Sequence, residues 1–197
     1  MQWNWDKEHR RYTNGRGQII SPARIRKELD SVIASRERQI ELLTKRFVAD
    51  KISFETWITG MRDLIKPPHT QALLLAWGGR QNTSQQEIGW LGSKLKFQYE
   101  RLAQFGRDVE NGTVAKDARM IARAKMYANA SISTYENAQR RREKKAGQSE
   151  ERSLLHEAEH CESCQEEADK GWVEIGTLIP VGERTCLVNC KCSMEYR

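Results

Sequence analysis

All five cysteines of the chain lie in its last 37 residues, with a spacing that suits metal binding. The pattern is Cys161-x2-Cys164-x21-Cys186-x3-Cys190-x1-Cys192. Zinc prefers four nitrogen or sulfur ligands in a tetrahedron, and a two-residue gap lets one tight turn present two sulfurs to the same ion. A disulfide framework would instead spread an even number of cysteines through a small secreted domain. We therefore expect reduced thiolates that hold one structural zinc ion.

Five cysteines exceed the four ligands of a single tetrahedral ion, and His160 and His156 are further candidates. Cys161, Cys164 and Cys190 are the preferred ligands, and Cys186 is favoured over Cys192 for the fourth position. Residues two apart on a strand share a face, so Cys190 and Cys192 can reach one site, whereas Cys186 has to approach from the preceding turn. The alternative is that some of these cysteines are buried as small apolar residues.

The sequence lacks the motifs of the common enzyme classes. It contains no Walker A sequence, no G-x-S-x-G, no H-E-x-x-H and no kinase set. A hydrolytic zinc site keeps three protein ligands and an open position, whereas five cysteines with few histidines indicate a closed, structural site. We expect neither catalysis nor a small-molecule substrate.

The charge of the chain is unevenly distributed. Residues 1–148 carry 28 lysine and arginine residues against 16 aspartate and glutamate residues, a net charge of +12, whereas residues 149–170 carry a net charge of −6. A basic helical body can bind DNA by neutralising phosphates. The basic run near its end is the candidate contact for nucleic acid or another partner, and it consists of Arg140, Arg141, Arg142, Lys144 and Lys145.

Apolar residues at three- and four-residue steps predict long amphipathic helices. The expected helices cover residues 22–48, 53–66, 69–77, 84–110, 114–145 and 150–159. Pro67-Pro68 should stop or kink the second of these. Short strands or turns are expected at 171–176 and 177–182. No apolar stretch reaches the roughly eighteen residues needed to span a bilayer, so we expect a soluble, non-secreted protein without a membrane partner.

Three consecutive segments describe the expected domain organisation. Residues 1–20 form an N-terminal arm whose Trp3 and Trp5 dock on the body or on a neighbouring subunit. Residues 21–148 form a helical body, and residues 149–197 form a cysteine-rich metal-binding module. The expected fold is therefore mainly α, an elongated bundle of long amphipathic helices with a small C-terminal, zinc-knuckle-like α+β appendage.

The C-terminal residues also carry a wider pattern than the cysteines alone. This pattern is His160-Cys161-x2-Cys164, Gly171-Trp172, Ile175-Gly176, Gly182 and Cys186-x3-Cys190-Lys191-Cys192. It resembles the C-terminal signature of phage head morphogenesis proteins, the minor head proteins of tailed phages related to those of Mu-like phages. In that family a CxxC is followed, after a glycine-containing stretch, by a His-x2-Cys-x-Cys element. This chain has Cys186 in place of the histidine, one residue further away.

The resemblance implies a viral structural protein, a minor capsid protein that acts near the portal or inner shell during head assembly and DNA packaging. It would occur in the virion, and in the host cytoplasm during assembly, with capsid and portal proteins as partners. The six tryptophans and the long amphipathic helices favour a multi-copy assembly, because they expose more apolar surface than a monomer should leave open. The alternative function is a nucleic-acid-binding zinc module whose basic body contacts phosphates.

Overall fold

The computed structural model describes residues 3–156 and 158–197, and it is mainly helical with two small antiparallel sheets. The helices are α1 (Pro22–Val48), α2 (Phe54–Trp77), α3 (Gln85–Glu110), α4 (Ala118–Asn129), α5 (Ser131–Lys145) and α6 (Glu162–Asp169). The strands are β1 (Trp3–Asp6), β2 (Arg11–Asn14), β3 (Ile19–Ile20), β4 (Glu150–Leu154), β5 (Val173–Glu174) and β6 (Ser193–Tyr196). Short 3-10 helices lie at Arg80–Asn82 and Leu187–Asn189. The predicted mainly α class is confirmed.

The chain divides into two compact units. The first unit contains the residues up to Pro22 together with Ala72–Thr83 and Ile132–Arg197, and the second unit contains Ala23–Gln71 and Ser84–Ser131. Each unit combines segments that are distant in sequence. The three consecutive segments expected from the sequence divide the chain differently from these two units, and they stay a prediction. Residues 1 and 2 of the expected arm lie outside the described residues.

An aromatic cluster forms the core of the second unit. The Trp57 ring stacks on Phe47 with centroids 5.0 Å apart and meets the edge of Phe105 at 5.6 Å. The Trp57 indole nitrogen donates to the Thr44 hydroxyl at 3.1 Å, so its one polar atom is satisfied in the interior. Phe105 in turn stacks on Tyr127, with centroids 6.2 Å apart. These contacts bury the apolar faces of α1, α2, α3 and α4.

Of the two effects predicted for the proline pair, a stop or a kink, the stop is wrong, because the pair does not end α2. Pro67 and Pro68 both lie inside the continuous helix Phe54–Trp77. Proline has a helical φ angle, but its missing N–H and its ring cost about 3 kcal/mol in a helix interior. Burial on both sides of the pair offsets this cost, since Ile65 and Ala72 are completely buried and Leu73 is almost so.

The predicted helix over residues 114–145 is in fact two helices, α4 and α5. The Asp117 carboxylate caps the start of α4 by accepting from the backbone nitrogens of Arg119 and Met120. At the other end, the buried Ser131 hydroxyl donates to the Ala128 carbonyl oxygen at 2.7 Å. A serine hydroxyl that takes a helix carbonyl offers the backbone an alternative to the next helical bond, which explains the break.

The N-terminal strands form a sheet in the order β1-β2-β3. Trp3 pairs with Asn14 and Trp5 with Tyr12 in the antiparallel register, and both tryptophans are buried within the first unit. Gly78 lies against this sheet with a φ of +69°, and a Cβ there would come within 2.3 Å of the Trp5 backbone nitrogen. The turn after α2 therefore requires glycine, and the predicted docking surface of the tryptophans lies within the same chain.

The C-terminal strands form a second sheet in the order β5-β4-β6. Its central strand β4 replaces the helix predicted over residues 150–159. The side chains of β4 alternate in burial, with Glu151 and Ser153 inside. Because these inward residues are polar, the strand lacks the apolar alternation by which strands are recognised.

None of the helices in residues 3–156 and 158–197 has the length and apolar composition that a bilayer crossing requires.

Candidate metal centre

Two segments of the first unit carry the cysteines. Cys161 is the N-cap of α6 and Cys164 lies in its first turn, where the Cys164 backbone nitrogen donates to the Cys161 carbonyl oxygen at 2.9 Å. Cys186 and Cys190 flank the 3-10 helix Leu187–Asn189, and Cys192 directly precedes β6. Cys186 thus enters from a turn as predicted. Cys190 and Cys192 precede the strand rather than lying on it, so their proximity comes from an extended connection.

The five sulfur atoms form one cluster around Cys164. Its Sγ atom lies 3.4 Å from that of Cys161, 3.5 Å from that of Cys186 and 3.6 Å from that of Cys190. The sulfurs also form two triplets, and within each triplet all sulfurs lie within 4.8 Å of one another. The first triplet is Cys161, Cys164 and Cys186, and the second is Cys164, Cys190 and Cys192. All five cysteines are free thiols. The predicted convergence is therefore confirmed, and the cluster can hold a metal ion.

The donor set suits a thiophilic metal. A zinc–sulfur distance of about 2.3 Å gives a tetrahedron with an edge of about 3.8 Å, close to the separations around Cys164. Three of the sulfurs belong to buried residues, Cys164, Cys190 and Cys192, while Cys161 and Cys186 are half-buried. Thiolates select zinc, copper(I) or iron–sulfur chemistry over magnesium and calcium, which prefer oxygen ligands.

Ser163 lowers the pKa of one of the two half-buried thiols, that of Cys161. The Ser163 hydroxyl accepts from the Thr185 backbone nitrogen at 3.1 Å and lies 3.4 Å from the Cys161 sulfur, to which its own proton can be donated. This hydrogen bond is the main cause that lowers the pKa of Cys161 to about 6. The position of Cys161 at a helix N-terminus acts in the same direction. Sequence analysis missed Ser163, whose only signal is its place inside the CxxC.

Burial has the opposite effect on three other thiols of the cluster. It raises the pKa of Cys164, that of Cys186 and that of Cys192, the last to about 12. Burial also disfavours the Cys190 thiolate, but hydrogen bonds from the Cys192 backbone and from neighbouring thiols outweigh it and lower the pKa of Cys190. Deprotonating the whole cluster therefore needs a cation, and metal binding would release protons.

His160 and His156 make different contacts. The His160 Nδ1 atom lies 3.6 Å from the Cys192 sulfur, and its Nε2 atom lies 2.7 Å from the His156 carbonyl oxygen. The His156 ring instead places Nε2 2.8 Å from the Ser193 hydroxyl. Of the two candidate histidines, the structure brings the His160 ring to the cysteines.

Buried Glu151 supports the loop between the two cysteine segments. Its Oε1 atom accepts from the backbone nitrogens of Gly176 and Leu178, both at 3.0 Å. Its Oε2 atom pairs with Arg140 Nε at 2.8 Å, and Arg140 also donates to the Leu178 carbonyl oxygen at 2.9 Å. This carboxylate thus ties β4 to the loop and to α5.

Arg184 and Glu167 fix the next part of the loop from two sides. Arg184, which is buried, donates to the Ile179 carbonyl oxygen at 2.9 Å and to the Ser153 hydroxyl at 2.8 Å. Glu167 on α6 accepts from the Ile179 backbone nitrogen at 2.8 Å. The chain therefore arrives at Cys186 from a position set by α6 and β4 together.

The basic run on α5 is partly internal. The Arg140 guanidinium forms an ion pair with the Glu151 carboxylate. Buried Arg142 donates to the Tyr12 hydroxyl and to the Glu143 carboxylate, both at 2.6 Å. Arg141 is half-buried, whereas Lys144 and Lys145 are exposed. Of the five predicted contact residues, these two lysines are the exposed ones, and the Lys145 ammonium lies 5.5 Å from the centroid of the Trp77 ring.

The fold and the site define a mainly helical protein with a C-terminal cysteine cluster that can hold a metal ion. No protein-family model, curated protein or solved structure matches the chain.

Proposed function

We propose that this chain is a minor structural protein of a tailed-phage head, of the phage head morphogenesis type, and that its cysteine cluster holds structural zinc. The observation that carries the proposal is the arrangement of the C-terminal signature. Its cysteines converge, and its glycines at 171, 176 and 182 all have left-handed backbone conformations, with φ angles of +63°, +107° and +88°. The residues of the signature are spread over more than thirty positions of the sequence, yet they build one local structure in which the cysteines form the cluster and the glycines form the turns.

Gly182 illustrates why the signature depends on residue type. A Cβ at this position would lie 3.0 Å from the backbone nitrogen and from the Cβ of Ser133 on α5. A side chain there would also be strained by the positive φ angle. The close approach of the loop to α5 therefore requires glycine, and the cysteine module is packed onto the helix that precedes it.

The donor set favours a structural role over catalysis. Five thiols provide more than the four ligands of a closed zinc site, whereas a catalytic zinc keeps a position open for water. The ion would link α6 to residues 186–192 in a zinc-knuckle-like appendage, with the long helices forming an elongated bundle. The chain would then act through protein contacts, for which exposed apolar side chains such as Leu42 on α1 and Phe97 on α3 are available.

Co-expression with the major capsid and portal proteins of the same phage tests the proposal. We expect the chain to co-purify with assembled heads in several copies per particle. A Cys164→Ala variant should lose this association because the appendage cannot close, while Ser193→Ala, which removes a hydroxyl from His156 rather than from a cysteine, should retain it. Absence of the wild-type chain from heads and from complexes with either protein would contradict the proposal.

The alternative function, a nucleic-acid-binding zinc module, is favoured by the net charge of +12 in residues 1–148. The internal use of Arg140 and Arg142 removes two charges of the basic run from a phosphate surface. Binding to duplex DNA over a range of salt concentrations separates the two functions. An affinity that falls steeply with salt, in a chain that stays out of heads, would replace the structural role.

A further inference from the structure

The cysteine cluster offers six ligand atoms, two more than a single tetrahedral ion uses. Five are cysteine sulfurs and the sixth is His160 Nδ1, which faces the Cys192 sulfur at 3.6 Å. If one ion took the four sulfurs of Cys161, Cys164, Cys186 and Cys190, then Cys192 and His160 would remain beside it as an unused pair of donors.

The hydrogen bond of His160 determines which of its nitrogens can bind a metal. Its Nε2 atom lies 2.7 Å from the His156 carbonyl oxygen, which can only accept. In the neutral imidazole Nε2 therefore carries the proton, and the lone pair is on Nδ1, the atom that faces the cluster. A metal-bound histidine characteristically donates its other ring N–H to a carbonyl or carboxylate, and His160 is already arranged in this way.

Cys164 and Cys190 lie between the two ends of the cluster. Cys164 belongs to both triplets of mutually close sulfurs. The Cys190 sulfur lies 3.6 Å from that of Cys164 and within 4.8 Å of that of Cys192, and the Cys190 thiol also interacts with that of Cys186. These two residues are also well buried, at 1% and 3% exposed. The remaining four ligands fall into two pairs, one at each end.

We propose that the cluster binds two metal ions that share the Cys164 and Cys190 thiolates. Cys161 and Cys186 complete the coordination of one ion, and Cys192 and His160 complete that of the other. Two tetrahedral ions make eight bonds, and two bridging thiolates contribute two bonds each, so six ligands satisfy both ions. The inference rests on the proposed zinc-binding role and deepens it by a second position.

Charge favours the same arrangement. Five thiolates carry five negative charges, of which one divalent ion neutralises two and a pair of divalent ions neutralises four. Buried uncompensated charge is strongly unfavourable. With a single ion, Cys192 would have to stay protonated, and its S–H would donate to His160 Nδ1. This one-ion state is the alternative that the experiments below distinguish from two ions.

Metal content of the full-length protein provides the first test. We expect two zinc ions per chain by elemental analysis, matched by two equivalents of cadmium after exchange. In cadmium NMR the two ions should give separate signals coupled to each other through the shared thiolates. One ion per chain would overturn the inference while leaving the structural zinc site intact, whereas no bound metal would overturn both.

Variants at the Cys192 and His160 end provide the second test. Cys192→Ala and His160→Gln should each reduce the content from two ions to one, with the first ion retained by Cys161, Cys164, Cys186 and Cys190. His156→Gln is the matched control, because this ring contacts Ser193 and should leave two ions. Two ions in both cluster variants would overturn the inference. If a variant fails to fold, the wild-type stoichiometry and cadmium coupling still decide between one ion and two.

Discussion

The guanidinium group of Arg142 lies over the Trp5 ring, 3.5 Å from its centroid. The Tyr12 ring meets the same indole edge-on at 4.8 Å, and its hydroxyl accepts a hydrogen bond from Arg142. Arg142 also donates to the Ala76 carbonyl oxygen at the end of α2. The predicted arm and the predicted basic contact run thus meet each other in the interior of the first unit.

Replacing Arg142 should destabilise the first unit strongly. Arg142→Ala removes the cation from Trp5 and leaves the buried Glu143 carboxylate with Arg10 as its remaining guanidinium partner. Breaking a buried ion pair from one side costs about 3–5 kcal/mol. Lys144→Ala, two residues further along α5 and exposed, should change the free energy of unfolding by less than about 0.5 kcal/mol. Urea denaturation of the two variants measures the difference, and equal midpoints would contradict the role of Arg142.

His69 should make the stability of the second unit depend on pH. Its burial in α2 lowers the pKa of the imidazole to about 4. Because the pKa is about 6.5 in the unfolded chain, the unfolded state takes up the proton first as the pH falls. The stability associated with the neutral ring is complete above about pH 6.5 and is lost as the pH falls toward about 4.

Between about pH 7.5 and about pH 5, this proton uptake should lower the free energy of unfolding by about 2 kcal/mol. His69→Gln, which cannot be protonated, should lack that part of the pH dependence. Denaturation of wild type and variant at both pH values measures the difference, and contributions from the other groups cancel in the comparison. Identical slopes for the two proteins would show that His69 does not control the transition.

Ser163→Ala should weaken metal binding without changing any ligand. Loss of the hydroxyl removes the hydrogen bond that keeps the pKa of Cys161 near 6, and it leaves the Thr185 backbone nitrogen without its acceptor. Hydrogen-bond partners of metal ligands typically contribute 10- to 100-fold to the metal affinity. We expect the dissociation constant of Ser163→Ala to rise by about tenfold. Competition with a chromophoric chelator measures the dissociation constant, and Ser193→Ala serves as the control. Unchanged affinity in Ser163→Ala would exclude this role.

Glu151 should stabilise the fold through both of its oxygen atoms. Glu151→Gln keeps an acceptor for Gly176 and Leu178 but loses the charge opposite Arg140, so we expect a loss of about 1–3 kcal/mol. Glu151→Ala removes all three interactions and should cost about 3–5 kcal/mol. The neighbouring Glu150 pairs with exposed Arg197 at 2.7 Å, and Glu150→Gln should cost less than about 1 kcal/mol. Thermal unfolding of the three variants tests this order.

Helices that begin with side-chain caps were predictable from the sequence. Ser84 accepts from the Glu87 backbone nitrogen at the start of α3, and Ser53 accepts from that of Thr56 at the start of α2, which are the positions where the predicted helices begin. Ser21-Pro22 likewise marks the start of α1. These signals are local, because a cap and the first turn of its helix lie within four residues of each other.

Features that depend on distant partners were not predictable. The inward side chains of β4 are polar because Glu151 binds a loop some 25 residues later, and no local pattern encodes that contact. The cysteine spacing predicted the cluster, but the roles of Ser163 and His160 depend on Thr185 and Cys192, which the fold brings close. Likewise, packing rather than helix propensity keeps α2 continuous through Pro67 and Pro68.

The pairing of Tyr12 with Arg142 determines when the first unit can be completed during synthesis. The second unit contains no residue beyond Ser131, so its whole sequence is synthesised before that of α5 is complete. Trp5 and Tyr12, which are synthesised before the second unit, have to wait for Arg142, which follows Tyr12 by 130 residues. Strands β1 and β2 therefore precede α1 in the order of synthesis, yet they cannot be fully buried until α5 has been made.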